Sequence, residues 1–151
     1  PISNIRFVEC DITDTQLHRQ MLFESGFDSN IPTIVLMEGI VYYITNNEML
    51  MLLKFFRQFK SAVALDFCFK PDDVHPQTRQ YLTEVFRKIS KSIAIKPVQF
   101  YDMNEMHSLL NEAGYNVTDW ATLKSIQAER TGNADPFDDD SKSWIGMVSA
   151  K

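Results

Sequence analysis

Two carboxylates stand where apolar runs of this chain stop. FVECDI (7–12) closes on Asp11-Ile12, and PTIVLMEGIVYYI (32–44) is broken at one point, by Glu38-Gly39. An ionised carboxylate offers only acceptors, and burying one without a partner costs several kcal/mol or more. Glu38 therefore stands where burial ends, or a cation meets it. If both runs are strands of one parallel sheet, both carboxylates fall beyond strand carboxyl ends, where open α/β sheets bind ligands. Two acceptor-only side chains there suit a ligand with amino or ammonium donors.

Each of these residues also has a plainer reading. Asp11 is equally a cap for a helix beginning near Thr15, and Glu38 a surface residue at a strand end. Tyr42 and Tyr43 line a pocket or pack in the core with their hydroxyls at its edge. Asp66 lies inside SAVALDFCF (61–69), so it needs a hydrogen-bond partner or an exposed strand end, and its role stays open. His18, His75 and His107 fall on different predicted elements with no pair at ligand spacing, and there is no Gly-x-Ser-x-Gly elbow. Cys10 and Cys68 each sit in an apolar run and read as reduced core thiols. The sequence thus predicts no metal site, and neither a zinc nor a serine hydrolase.

The elements that must hold these residues follow from periodicity. IRFVEC (5–10) reads as a strand, DITD as a polar turn, and TQLHRQMLFES as a helix with Leu17, Met21 and Leu22 at helical spacing. TIVLM (33–37), apolar without alternation, predicts a central strand covered on both faces. Asn46 and Asn47 are expected to cap a helix to Lys60 with the stripe Met49, Leu52, Leu53, Phe56 and Phe59. With the strand at 61–69 this makes a βαβ crossover, parallel at that point. A helix over 77–90 puts Tyr81, Leu82, Val85, Phe86 and Ile89 on one face, and Asp102 with Glu105 predicts a capping box for the helix 103–113, stopped by Gly114. NVTDWATL (116–123) and WIGMVS (144–149) read as strands joined by a polar, solvated stretch containing GNADPFDDDS. The fold class predicted is α/β, a mostly parallel sheet with flanking helices.

The chain has 151 residues, one domain's worth, and 44% hydrophobic residues, as in globular proteins generally. A net charge of −5, with no cluster of lysines or arginines, argues against nucleic acid as a partner. No apolar run is long and uninterrupted enough to span a bilayer, and the N-terminus lacks the pattern of a signal peptide, so no membrane partner is expected and the cytoplasm is the expected location. The chain opens on Pro1 rather than methionine, which raises the expectation of a fragment or a processed product.

FVECDI, GFD (26–28), PTIVLMEGIVYYI and, more loosely, VALDF (63–67) and LLNEAGYNV (109–117) resemble, in this order, the leucine carboxyl methyltransferase family of S-adenosylmethionine-dependent O-methyltransferases. The resemblance implies a Rossmann-like methyltransferase fold and S-adenosylmethionine as cofactor. It implies that Asp11 accepts from the adenine amino group, that the backbone of Ile12 also contacts adenine, and that Glu38 holds the methionyl ammonium, with Gly39 permitting close approach. Tyr43 and Asp66 are candidates for the acceptor pocket, and no catalytic base is named. The family's glycine-rich turn and ribose-binding acid have no counterpart here. The single domain 1–151 is therefore expected to be the C-terminal portion of a methyltransferase domain whose first two strands, lying between those that end at Asp11 and Glu38, are missing. Taken alone, such a chain is expected to be inactive and to self-associate through exposed strand edges. The alternative function is a non-catalytic binding domain derived from the same fold. The expected partner is a carboxylate-bearing or small-molecule hydroxyl acceptor.

Overall fold

A strand of apolar residues leaves the sheet at Glu38, and the chain must cross a sheet face before it can pair beside itself. The computed structural model, which describes residues 4–92 and 98–151, shows that crossover. Strand β1 (Ile34–Met37) is followed by one 3-10 turn at Val41–Tyr43, helix α2 (Asn46–Arg57) and strand β2 (Ala62–Cys68), and β1 and β2 pair in parallel with Met37 beside Leu65. Helix α1 (Thr15–Glu24) precedes them. Helices α3 (Pro76–Ser92) and α4 (Met103–Glu112) follow, then strand β3 (Val117–Thr122), helix α5 (Leu123–Thr131) and strand β4 (Ile145–Ala150).

The expectation of a mostly parallel sheet is corrected. The strand order is β1-β2-β4-β3, and both β2–β4 and β3–β4 are antiparallel. β4 returns from the α5 connection into the gap between β2 and β3, a direction that apolar periodicity cannot encode. The expected central strand, TIVLM, is the sheet edge: among the described residues β1 pairs with β2 alone, Ile34 is 78% exposed and Leu36 69%. IRFVEC forms no strand either. Residues 5–10 are coil and Phe7 is 96% exposed, because no strand among the described residues pairs with them.

One face of the sheet carries the core. Val63, Leu65 and Phe67 of β2 and Val148 and Ala150 of β4 face Met49, Leu52 and Leu53 of α2 and Met106 and Leu110 of α4. Tyr115 is buried in the same cluster, its hydroxyl 2.5 Å from that of Ser61. The other face bears Ile34, Leu36, Ala64, Asp66 and Met147, none of them fully buried. Helix α1 and the turn after it lie on α2 and its C-terminal end through the rings of Phe23, Phe27, Phe55 and Phe59, with the Arg19 guanidinium over those of Phe23, Phe55 and Phe59.

Local signals placed most helices. Asp102 and Glu105 form the predicted capping box of α4, and Gly114 follows its end at φ 90°. The cap of α2 is Thr45, paired reciprocally with Glu48, rather than Asn46 or Asn47, and the helix ends at Arg57 rather than Lys60. Tyr81 of α3 is 62% exposed, off the face that Leu82 buries. The polar connection before β4 contains α5, which buries no residue and rests on the Thr122–Ser125 capping box and the left-handed Gly132.

Candidate functional site

The carboxyl end of β1 is where the backbone must break from the ladder. Gly39 does so at φ 70°, a left-handed conformation that costs any residue with a Cβ about 1–2 kcal/mol. Its N–H donates to Asp66 Oδ1 at 2.8 Å, from the neighbouring strand. Glu38, just before this turn, is exposed, and no lysine or arginine among the described residues pairs with it.

Glu38 borders two clefts. One, of about 220 Å³, lies at the free edge of β1 and is lined by Ile12, His18, Met37, Glu38, Ile40 and Phe56, among others. It brings together Ile12 and Glu38, residues 26 positions apart, whereas the pair the sequence predicts to share a crevice is Asp11 with Glu38. The second, of about 360 Å³, runs over the uncovered sheet face and joins Glu38 to Asp66 and Asp119 above a floor that includes Leu36, Ala64 and Met147.

Asp11 stands beside this arrangement without lining either cleft. It does not cap α1: Asp14 does, accepting from Gln16 N–H and Leu17 N–H, while Asp11 Oδ1 accepts from the N–H and hydroxyl of Thr13 at 2.9 and 2.7 Å. Tyr43 lines neither cleft, and its ring meets that of Tyr42 edge-on at 4.6 Å. Tyr42 is the tyrosine nearer the turn, with its hydroxyl 3.6 Å from the position a Cβ on Gly39 would take. Burial, then Tyr43, Cys68 and Asp66, push the Tyr42 phenol up to about 12, and burial with Asp66 nearby pushes the Cys68 thiol up to about 12. Both stay neutral at physiological pH.

His18 and Asp119 are the neighbours to which the sequence assigned no role at the site. His18 is buried between the rings of Phe55 and Phe56 at 5.2 and 5.3 Å, its Nδ1 has no hydrogen-bond partner, and burial lowers its pKa. A helical period that placed His18 toward α2 was the one available signal. Asp119 reaches the site only because β4 runs antiparallel between β2 and β3, which no local pattern announces. The arrangement offers acceptors and apolar walls; among the described residues no cluster of His, Cys, Asp or Glu is placed to hold a metal ion. No described helix is long and apolar enough to cross a membrane.

A family model for leucine carboxyl methyltransferase matches residues 1–57, the stretch that contains Asp11, Ile12, Glu38 and Gly39, in accord with the resemblance seen in the sequence. No curated protein matches. Among solved structures, a DUF574 family protein from Streptomyces avermitilis MA-4680 is similar with a TM-score of 0.65 at 14% identity, over 95% of this chain and 53% of that one. The methyltransferase CalO6 is similar with a TM-score of 0.52 at 13% identity, over 88% of this chain and 44% of that one. The α/β fold is thus shared with a methyltransferase, and the chain spans about half the length of the solved structures it matches.

Proposed function

We propose that these 151 residues form the C-terminal portion of an S-adenosylmethionine-dependent O-methyltransferase acting on a carboxylate or a small-molecule hydroxyl. The observation that carries this reading is the junction of Glu38 and Gly39 at the end of β1, where a carboxylate without a cationic partner among the described residues borders a cleft shared with Ile12. These acceptors suit the cofactor's ammonium and amino donors. Glu38 accepts from the methionyl ammonium, a charge-assisted bond inside a partly apolar cleft. Asp11, beside Ile12, accepts from the adenine amino group, and Gly39 presents no side chain toward the ligand.

Held by Glu38, Asp11 and the Ile12 backbone, S-adenosylmethionine would supply an electrophilic methyl group for transfer to an acceptor oxygen, with a neutral thioether as the leaving group. The chain's task is then orientation, holding the acceptor in line with the methyl–sulfur bond at near-attack distance. A carboxylate acceptor is already anionic at neutral pH and needs no general base.

A second reading, a binding domain derived from the same fold without catalysis, is favoured by one observation: Asp11 follows coil rather than a strand and does not line the cleft that Glu38 enters. Calorimetric titration of the intact, folded longer protein with S-adenosylmethionine separates the two. Saturable binding is the expected result, and its absence removes the methyltransferase reading.

A further inference from the structure

Asp66 is a carboxylate between two buried apolar residues, Leu65 and Phe67, on the middle of the sheet. Its side chain falls on the uncovered face, beside Met147 of β4, and is partly buried. Among the described residues no lysine or arginine pairs with it. Its partner is an amide. The parallel register sets Met37 beside Leu65, so Asp66 is level with Glu38, and its Oδ1 accepts from Gly39 N–H at 2.8 Å.

The need for such an acceptor follows from the turn. At Gly39 the chain leaves the ladder in a left-handed conformation, so its N–H has no strand carbonyl to meet, and a partly buried amide without an acceptor is unfavourable. A carboxylate is the strongest acceptor available for it. The bond fixes the peptide that joins Glu38 to Gly39, and with it the direction in which the Glu38 side chain leaves the backbone. From the other side the Tyr42 hydroxyl approaches the same turn, 3.6 Å from the place of a Gly39 Cβ.

We propose that Asp66 is the positioning residue of the site: it holds the Glu38–Gly39 turn from the adjacent strand and acts on the ligand through Glu38, without touching it. This rests on the reading of Glu38 as the ammonium acceptor. It differs from a role in the acceptor pocket, and it makes a distinction that charge alone does not. Asn at position 66 keeps an oxygen that accepts from Gly39 N–H while removing the negative charge, whereas Ala removes both.

The test compares wild type, Asp66→Ala and Asp66→Asn. Amide hydrogen exchange at Gly39 is followed by NMR with the amides of Val63 and Leu65 as controls for folding, and S-adenosylmethionine titration is carried out on the intact longer protein. Losing a hydrogen bond to a charged acceptor corresponds to about tenfold to a hundredfold, so Asp66→Ala is expected to speed Gly39 exchange and weaken binding by that order. Asp66→Asn, which keeps a neutral acceptor in place of a charged one, is expected to fall between wild type and Asp66→Ala, at about five- to tenfold in both. Gly39 exchange unchanged in Asp66→Ala overturns the clamp. Binding lost equally in Asn and Ala overturns positioning in favour of direct charge contact. Wild-type protein that binds no S-adenosylmethionine removes the cofactor reading alone, and the Gly39 exchange in the same samples still decides for or against the clamp.

Discussion

Phe67 and Gly146 are cross-strand partners on β2 and β4, and the Phe67 ring occupies the space a side chain at 146 would need: a Cβ built there lies 2.5 Å from the ring's Cζ. Phe67 is completely buried, with Phe69, Tyr101 and Trp120 around it at ring distances of 5.2, 6.3 and 6.0 Å, so the ring has no direction in which to yield cheaply. Gly146→Ala is therefore expected to destabilise the fold by about 1–3 kcal/mol, the usual range for overpacking a core. Urea denaturation followed by tryptophan fluorescence measures it; a midpoint equal to wild type would mean the rings repack without strain.

On the proposed reading of the site, Glu38→Gln in the longer protein removes the charge that would meet the cofactor's ammonium and keeps the shape. The expected loss is about 1.5–3 kcal/mol of S-adenosylmethionine affinity, the range for a hydrogen bond to a charged group. Titration calorimetry reads it directly. An unchanged affinity would return Glu38 to the exposed end of a strand with no ligand role.

His18 gives the packing of α1 on α2 a pH dependence. Burial lowers its pKa below the ordinary 6.5. As pH falls through 6.5 the unfolded chain takes up a proton that folded His18 resists, so the unfolded state binds more protons and stability declines. The contribution is complete above 6.5 and is lost progressively as pH falls toward the lowered folded value, a window distinct from the more acidic one in which Asp102 and Asp138, held below 3.8 by hydrogen bonds, titrate. His18→Leu is expected to flatten the slope of stability as pH falls below 6.5. A slope that persists in the variant would place its source elsewhere.

The free edge of β1 carries Ile34 and Leu36 outward with no charge or proline in Ile34–Met37 to discourage pairing. Such an edge invites another strand. The 151-residue chain is expected to run heavier than its 17.5 kDa in light scattering after size exclusion, and Ile34→Lys with Leu36→Lys to return it to that mass. A wild-type monomer at every concentration tried would show that the edge is protected in solution.

The readable parts of this protein are those whose cause lies within a few residues. The stripe of Met49, Leu52 and Leu53 marks α2, the Asp102–Glu105 pair marks α4, and the spacing of strand, helix and strand between residues 33 and 69 requires a parallel crossover. The break at Glu38-Gly39 was legible for the same reason: a carboxylate followed by glycine inside an apolar run is costly unless something accounts for it. Helix α5 was not, because it buries nothing and depends on end caps in a polar stretch. IRFVEC has the composition of a strand and stays coil, since a ladder needs a second strand that no described segment supplies.

By itself the sequence determined the α/β class, the order of the main helices and the carboxylate–glycine junction, because helical period, capping chemistry and the cost of an unpartnered charge act locally. The tertiary structure alone decided that β1 is an edge, that β4 lies antiparallel between β2 and β3, and that the carboxylate of Asp66 meets the amide of Gly39, 27 residues away. Strand neighbours and hydrogen-bond partners of that kind are chosen by the joint packing of segments distant along the chain, and the free energy that selects them is absent from any one segment read alone.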